Sequence, residues 1–230
     1  MNLFRKKAYA PFTGSGKKHL LIVGARGWGR EVYASVMHSE AYENGDVDVR
    51  GFLDSDSHVL NGLRGQYPRI LSSVEDYQIQ PDDVFFVAMG ESKWRRHYAE
   101  LLKAKGARFH TIICHDAYVN PTALIGEGSF IASWTSISDN VTIGSHVMIH
   151  GLCTIGHDAR IDDYASIEAY VFVGGEACIG EESVMHAHSS LLRHKQIGSH
   201  VEVGAGSVVM RDVADGLHVH GNPAKKIDLL

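Results

Sequence analysis

His157 lies between a glycine and an aspartate, in a register where residues eighteen positions away also have types suited to acid–base chemistry. Eighteen residues before it is Asp139, and eighteen residues after it is Gly175, preceded by Gly174. An imidazole titrates near neutral pH and can act as a general base, and a nearby carboxylate supports its charged form. A backbone N–H exposed at a glycine can stabilise a developing oxyanion. This combination predicts acyl transfer, with His157 as the base and Gly174 or Gly175 as the amide donor.

These positions come together only if the chain folds into stacked coils, and a repeat of six residues predicts such a fold. An aliphatic residue, or once a methionine, recurs at every sixth position from Val119 to Val209 without an insertion. The residue four positions later is mostly small or β-branched, with Lys195 as the exception. Three hexads make one triangular coil, so residues eighteen apart stack at about 4.8 Å, the spacing of neighbouring strands. The repeat therefore predicts a left-handed parallel β-helix over residues 116–214, in which each coil packs against its neighbours.

The chain before the β-helix alternates between strand and helix patterns. Helical stretches are predicted from about Arg30 and over Ser92–Lys105. Apolar runs predict strands over His19–Gly24, Val47–Leu53, Asp83–Gly90 and Phe109–Ile113. Because strands that alternate with helices usually form a parallel sheet, residues 18–115 are predicted to form a small Rossmann-like α/β domain.

A glycine-rich turn follows the first predicted strand and precedes a helix. Its residues are Gly24, Ala25, Arg26, Gly27, Trp28 and Gly29. Free N–H groups at the start of a helix suit a phosphate, and Asp54 at the end of the next strand is expected to accept hydrogen bonds from a ribose or a base. The spacing differs from the G-x-G-x-x-G fingerprint, so it gives only weak support to NAD binding, and a tight turn without a ligand stays an alternative. Trp28 is interpreted either as stacking on a base or sugar or as packing under the turn.

Composition and charge exclude several other classes of protein. The formal net charge of −5 argues against nucleic acid or an anionic membrane surface as the main partner. The three cysteines show no CxxC spacing, which fits a reducing compartment. The basic N-terminus lacks a continuous apolar segment, and no stretch approaches the ~20 apolar residues of a membrane span. We therefore expect a soluble, cytoplasmic protein in which residues 1–17 form a mobile arm and residues 215–230 a C-terminal tail.

Four features together resemble one family of sugar acetyltransferases. They are the glycine-rich α/β domain, the unbroken hexads, the GHD of Gly156–Asp158 and the GNPAK of Gly221–Lys225. The combination, which covers nearly everything from His19 to Ile227, is similar to the sialic-acid O-acetyltransferases and the bacillosamine-pathway N-acetyltransferases (NeuD/PglD-like). The resemblance implies acetyl-CoA as the acyl donor, a nucleotide-linked amino sugar as the acceptor, and a role in surface polysaccharide or glycan biosynthesis. It also implies a homotrimer, with acetyl-CoA in the groove between adjacent β-helices and no metal.

The resemblance assigns roles to individual residues. It implies that His157 is the catalytic base, that Asp158 raises its basicity and that Gly175 donates its amide to the thioester oxygen. For the acceptor it implies the turn Gly24–Gly29 and Asp54, and we expect two further residues on that side, Gly90 and His150. For the acetyl-CoA site, the residues expected nearby are Gly174, Gly175, Ser166, Ala187, Ala205, Asn222, Pro223 and Lys225.

The chain departs from the family pattern at four positions. Trp28 occupies a position where many relatives have histidine, and Ser55 replaces the second acid of a common Asp-Asp pair. His150 occupies a position that is more usually asparagine, and Ser166 replaces a histidine found near CoA in some members. The first three lie on the acceptor side. The resemblance therefore supports the type of reaction more strongly than the identity of the acceptor.

Three alternatives stay open at this point. The acceptor group could be a sugar hydroxyl, as in sialic acid, because a hydroxyl and an amine need the same help from His157. The chain could instead be a nucleotide-sugar-binding trimer without activity. A zinc enzyme of the γ-carbonic-anhydrase type would need His150, His186 or His188 as ligands shared between subunits. Within one chain, His150 and His186 lie two coils, or about 10 Å, apart, which is too far for one zinc ion.

Overall fold

A computed structural model describes residues 16–227. The predicted N-terminal arm falls almost wholly outside the described residues. The described chain divides into two compact units, one that extends to His115 and one that begins at Asp116. Among residues 16–227, no helix is both long enough and apolar enough to cross a membrane.

The first unit is a parallel α/β fold, as predicted. Its four-stranded sheet has the order β3-β2-β1-β4, and all of its strand pairs are parallel. Every residue of β4 is buried, because helices and loops cover the sheet. The elements of this unit are β1 (Lys18–Val23), α1 (Gly27–Met37), α2 (Glu40–Glu43), β2 (Val47–Leu53), β3 (Ile70–Ser72), β4 (Asp83–Val87), α3 (Ser92–Ala104) and β5 (Ile112–Ile113).

Several boundaries of this unit differ from the sequence prediction. Helix α1 begins at Gly27, three residues before the predicted start, so that two glycines form its first turn. Strand β4 ends at Val87 rather than Gly90, and the predicted strand Phe109–Ile113 reduces to β5, with Phe109 in an isolated bridge to Phe85. Helix α2 and strand β3 were not predicted, because both are short and lack a clear hydrophobic period.

The second unit is a left-handed parallel β-helix, built of two-residue strands up to β21, which confirms the prediction from the hexads. Two of its faces have the strand orders β7-β10-β13-β16-β19 and β6-β9-β12-β15-β18-β21, and the third contains β8, β11, β14, β17, β20, β22 and β23. The strands are β6 (Tyr118–Val119), β7 (Leu124–Ile125), β8 (Phe130–Ile131), β9 (Ser136–Ile137), β10 (Thr142–Ile143), β11 (Met148–Ile149), β12 (Thr154–Ile155), β13 (Arg160–Ile161), β14 (Ser166–Ile167), β15 (Phe172–Val173), β16 (Cys178–Ile179), β17 (Val184–Met185), β18 (Ser190–Leu191), β19 (Gln196–Ile197), β20 (Glu202–Val203), β21 (Val208–Val209), β22 (His218–His220) and β23 (Lys225–Lys226).

The interior of the β-helix follows from the two inward positions of each hexad. The aliphatic residues from Ile131 to Val209 are buried, and the small residues four positions later are buried with them. At two positions where the small residue is serine, its hydroxyl bonds the neighbouring coil: Ser129 Oγ donates to Gly144 O at 2.8 Å, and Ser183 Oγ donates to Gly198 O at 2.7 Å. The coils therefore stack without unpaired hydroxyl groups at these two sites.

The stacking changes after β21, where one coil is two residues shorter than the others. Ile179 pairs with Ile197 eighteen residues on, whereas Ile197 bridges to Val213 only sixteen residues on. Lys195, the one residue that breaks the inward pattern, lies in the coil that precedes this change and is only half-buried.

Candidate active site

His157 lies at the corner that follows β12 and forms the end of a chain of hydrogen-bonded side chains. Its Nδ1 is 2.7 Å from Oδ2 of Asp158, and the other carboxylate oxygen of Asp158 accepts a hydrogen bond from Asn140 Nδ2 at 2.7 Å. Because a carboxylate only accepts, the proton of the neutral imidazole is assigned to Nδ1. Nε2 is then left as the basic nitrogen, on a side chain that is 62% exposed.

Asp158 is held in place and kept ionised by its neighbours. Its backbone has a φ of 59°, a left-handed conformation that aspartate tolerates better than most residues. The hydrogen bond from Asn140, and then the one with His157, lower the pKa of Asp158 below its ordinary value. An ionised carboxylate on Nδ1 fixes the tautomer and stabilises the imidazolium that forms when Nε2 takes a proton.

Asp139, the other acid considered for this role, does not make the contact with His157. Its carboxylate accepts a hydrogen bond from Thr122 Oγ1 at 2.7 Å, and its backbone carbonyl accepts one from Asp158 N at 2.9 Å. The alternative in which Asp139 supports the imidazole directly was therefore wrong. Asn140 was missed at the sequence level, although it lies eighteen residues before Asp158 and the repeat could have identified it.

Gly175 lies against the imidazole because β12 and β15 pair in register, Thr154 with Phe172. A Cβ atom on Gly175 would lie 2.7 Å from Nε2 and 2.9 Å from Cε1 of His157, so only glycine leaves room for the ring. The carbonyl of Gly175 accepts from His194 N at 3.0 Å, whereas no residue within 16–227 accepts a hydrogen bond from its N–H. The residue next to the imidazole therefore has an N–H without an acceptor in the described part of the chain.

The residues expected near acetyl-CoA have different environments. Gly174 is a tight packing position, since a Cβ there would lie 2.4 Å from Arg193 N. The N–H of Ala187 already donates to Glu168 Oε2 at 3.0 Å, and Ser166 is only 7% exposed. Ala205 is exposed.

The loop Gly221–Lys225 is tied to the last coils of the β-helix. Gly221 N donates to Ser207 Oγ at 2.9 Å, and Ala224 N donates to Val208 O at 2.8 Å. Asn222 and Pro223, joined by a cis peptide, are exposed, as is Lys225. The loop can therefore present its side chains to a ligand, and its role stays a prediction.

The α/β unit contains a cleft of about 380 Å³ at the ends of β1, β2 and β4. Within the predicted turn Gly24–Gly29, Ala25 and Gly27 do not line it. The predicted residues that do are Gly24, Arg26, Trp28, Gly29, Asp54 and Gly90. Met89, Trp94, Tyr98 and Glu75 also line the cleft and were missed. The spacing of Trp94 and Tyr98, one turn apart on α3, was the available signal.

Backbone contacts give the cleft its shape. Asp54 accepts hydrogen bonds from Ala25 N at 2.9 Å and from Asp56 N at 3.0 Å, so its carboxylate also fastens the glycine turn to the end of β2. A Cβ on Gly29 would lie 1.9 Å from Gly24 O, which explains why glycine is needed where the turn enters the helix. The buried guanidinium of Arg95 donates to the carbonyls of Met89 and Gly90 at 2.9 and 3.0 Å and so holds the loop after β4.

Tyr98 lies in the electrostatic field of the two acids of the cleft. Its partial burial, and then the negative charges of Glu75 and Asp54, raise its pKa above the ordinary value. The cleft thus combines aromatic surface, a tyrosine hydroxyl that stays protonated, two carboxylates and the cation of Arg26. These groups suit a sugar or a base together with a phosphate.

The remaining histidines do not form a metal site in the described part of the chain. His150 lies at the corner after β11, in the β-helix unit. Glu168 occupies the coil between His150 and His186, and its Oε1 is 3.1 Å from His186 Nδ1. His188 stacks on Tyr170, with ring centroids 4.6 Å apart. Among residues 16–227, no group of three histidine, cysteine or acidic side chains is placed to bind one ion.

Comparisons with known proteins agree with this architecture. The family described as the PglD N-terminal domain matches residues 19–102, and the bacterial transferase hexapeptide family matches residues 122–157 and 140–175. The acetyltransferase domain of PglB from Neisseria gonorrhoeae FA1090, solved with acetyl coenzyme A, is 28% identical and superimposes with a TM-score of 0.82 over 92% of this chain and 100% of that one. The chain combines a region similar to the PglD N-terminal domain with hexapeptide repeats of the bacterial transferase type, and it is an acetyltransferase.

More distant structures share the fold of this acetyltransferase. A variant of perosamine N-acetyltransferase from Caulobacter crescentus, solved with CoA and GDP-perosamine, is 23% identical, with a TM-score of 0.79 over 94% of this chain and 98% of that one. WeeI from Acinetobacter baumannii AYE is also 23% identical, with a TM-score of 0.68 over 92% of this chain and 100% of that one. A comparison with curated protein sequences found no match.

Proposed function

We propose that this acetyltransferase transfers the acetyl group of acetyl-CoA to the amino group of a nucleotide-linked sugar, with His157 as the general base. The observation that carries the proposal is the chain Asn140–Asp158–His157, in which the carboxylate contacts Nδ1 and Nε2 lies on the side of Gly175. The structures solved with acetyl coenzyme A and with GDP-perosamine support the classes of donor and acceptor.

His157 and Asp158 handle the proton of the amine. Nε2 accepts it as the nitrogen bonds to the acetyl carbon, and Asp158 stabilises the resulting imidazolium through Nδ1–H. The hydrogen bond from Asn140 keeps Asp158 ionised throughout, because it lowers the pKa of that carboxyl. The proton on Nε2 is then available to the departing thiolate, so that base and acid are the same residue.

Gly175 serves the other side of the reaction. Acetyl-CoA supplies a thioester carbonyl whose oxygen gains negative charge as the amine adds. The N–H of Gly175 would donate to that oxygen, and a preorganised donor of this kind typically contributes about 10²–10³-fold to the rate. Direct transfer needs no acyl-enzyme, because holding the two substrates together removes much of the entropic cost of the reaction.

The cleft of the α/β unit is the proposed site of the nucleotide part of the acceptor. Arg26 and the amides of the glycine turn would bind phosphate, and Trp28 and Trp94 offer aromatic surface to a base or sugar. His150, Ser166, Ala187 and Ala205 keep the roles that the resemblance implied as predictions. The homotrimer and the cytoplasmic location are also still predictions, and the molar mass in solution, from light scattering, would test the first.

Thiol release from acetyl-CoA, measured across a panel of acceptors, tests the proposal. The panel contains GDP-, UDP- and dTDP-linked 4-amino sugars, their 4-hydroxy counterparts, and free sialic acid. We expect turnover with an amino sugar and an N-acetylated product by mass spectrometry. Turnover only with hydroxyl acceptors would replace N-acetylation by O-acetylation, and CoA binding without turnover on any acceptor would favour a non-catalytic binding protein.

A further inference from the structure

Asn140, which holds the carboxylate of Asp158, is itself held in an unusual way. Along this corner of the β-helix, later residues in the left-handed conformation donate their backbone N–H to the carbonyl oxygen nineteen residues earlier. These donor and acceptor residues are Asp158 and Asp139, Glu176 and His157, and His194 and Gly175. Asn140 N instead donates to a side chain, the hydroxyl of Thr122, at 2.8 Å. Thr122 therefore takes the place of a backbone carbonyl where this corner begins.

Thr122 is bonded to both of the residues that hold Asp158. Its hydroxyl donates to Asp139 Oδ1 at 2.7 Å and accepts from Asn140 N at 2.8 Å. The carbonyl of Asp139 accepts from Asp158 N at 2.9 Å, and Asn140 Nδ2 donates to Asp158 Oδ1 at 2.7 Å. The backbone and the carboxylate of Asp158 are thus both attached to a dipeptide that one hydroxyl group fixes.

The turn that carries Thr122 fixes the position of this hydroxyl. Asn120 Oδ1 accepts a hydrogen bond from Thr122 N at 3.0 Å, and Pro121 between them restricts the backbone. The branched side chain of threonine is stiff at χ1, so holding it in one rotamer costs little entropy. The hydroxyl is therefore in place to receive the N–H of Asn140.

We propose that Thr122 is a positioning residue for His157. Its hydroxyl directs the amide of Asn140 to Asp158, and Asp158 then keeps the proton of the imidazole on Nδ1. Without the hydroxyl the turn at Asn140 loses its anchor, so Asp158 holds the ring less firmly and the proton can move to Nε2, which removes the base. Because Thr122 is exposed, water replaces part of the lost hydrogen bond and the effect is a reduction rather than a complete loss. The effect on the rate rests on the proposed function.

Nitrogen-15 NMR of the free protein, labelled at its histidine rings, tests the inference. Protonated and unprotonated ring nitrogens resonate far apart, so the shifts report which nitrogen of a neutral imidazole carries the proton. His157→Ala identifies the signals of His157 by their disappearance. The test variants are Thr122→Val, which keeps the branched shape without the hydroxyl, and Thr122→Ser, which keeps the hydroxyl. Thr142→Val is the control, because Thr142 is also exposed, on β10, and within residues 16–227 its hydroxyl makes no hydrogen bond.

At alkaline pH, where imidazoles are neutral, we expect wild-type His157 to show a protonated Nδ1 and an unprotonated Nε2. In Thr122→Val the two shifts should move toward each other, because the ring then samples both tautomers, whereas Thr122→Ser and Thr142→Val should resemble the wild type. Unchanged shifts in Thr122→Val would overturn the inference, even with a lower unfolding midpoint, since that result would give Thr122 a purely structural role. A change of equal size in Thr122→Ser would also overturn it.

Steady-state kinetics provide a second readout. We expect kcat for acetyl transfer to fall about fivefold in Thr122→Val, which is the typical net contribution of one hydrogen bond, and to recover in Thr122→Ser. The KM for acetyl-CoA should not change, because Thr122 acts on the imidazole and not on the donor. A rise in KM at wild-type kcat would overturn the inference.

These outcomes are separable from failure of the proposed function, since the NMR spectra need neither acetyl-CoA nor an acceptor. A protein in which Thr122→Val shifts the tautomer of His157, but which acetylates no amino sugar, would retain this inference and lose the proposed function. A protein that acetylates an amino sugar, but whose His157 signals are unchanged in Thr122→Val, would do the reverse.

Discussion

Replacing Gly175 with alanine tests the geometry of the site without removing any functional group. The new Cβ would lie 2.7 Å from Nε2 of His157. Non-bonded heavy atoms settle at about 3.5–4.0 Å, so the imidazole has to move by about 1 Å. A displacement of that size in a reacting group can cost about 10²-fold in rate. We therefore expect kcat for acetyl transfer to fall about 10²-fold in Gly175→Ala, while the backbone N–H that serves the thioester oxygen is retained.

The control and a double-mutant cycle separate this effect from general damage. Gly151 occupies the same hexad position at another corner, where an added Cβ would approach only Ser133 O, at 3.2 Å, so Gly151→Ala should keep nearly full activity. If Gly175→Ala acts by displacing the ring, it should cost little more in a His157→Ala background. Wild-type kcat in Gly175→Ala, or an equal loss with and without His157, would refute the reasoning.

Three further outcomes follow from individual residues. In Asp158→Asn, the side chain can offer an N–H to Nδ1 of His157, which shifts the imidazole proton to Nε2. We expect kcat to fall about 10²–10⁴-fold, as for loss of a general base, with little change in the KM for acetyl-CoA. A fall in kcat of less than fivefold would contradict this role of Asp158. Burial lowers the pKa of His110 from 6.5 to about 4. Between these two pH values the unfolded chain binds a proton at His110 that the folded chain does not bind. The free energy of unfolding should therefore drop by about 3 kcal/mol as the pH falls from about 6.5 to 4. Urea unfolding should show the difference between wild type and His110→Gln shrinking over that range, and a constant difference would disprove the assignment. Burial raises the pKa of Cys153 to about 11, whereas Cys178 is half-exposed. A thiol reagent at pH 8 should therefore modify Cys178 well before Cys153. Equal rates of modification would contradict the burial of Cys153.

The β-helix was predictable from the sequence because one physical requirement recurs in every hexad. A bulky side chain fills the interior and a small one fits the corner, so the register of Gly175 on His157 followed from counting. The shortened coil after β21 was not predictable in the same way. Val209 still obeys the six-residue pattern, and the loss of two residues from the next coil shows only in the structure, in the bridge from Ile197 to Val213 and in the pairing of Val203 with Val219.

The α/β unit shows the opposite balance between local pattern and tertiary structure. Its parallel sheet could be predicted from the alternation of strands and helices. The start of α1 at Gly27 could not, because glycine disfavours helices. Glycine is required at position 29 only by the close approach of Gly24 O, which the structure shows. In the active site, Asp158 rather than Asp139 contacts His157, whereas the carboxylate of Asp139 accepts a hydrogen bond from Thr122. A spacing argument brings both acids near the ring, and only the side-chain hydrogen bonds of the structure distinguish them.

The central claim, that His157 catalyses acetyl transfer to an amino sugar, is tested most directly by the pre-steady-state rate of acetyl transfer in wild type and His157→Ala. Both proteins are saturated with acetyl-CoA and with the amino sugar found in the acceptor panel, and N-acetylated product is quantified over time. The account predicts a rate at least 10²-fold lower for His157→Ala, with CoA affinity and unfolding midpoint unchanged. A variant that forms N-acetylated product at the wild-type rate would contradict it.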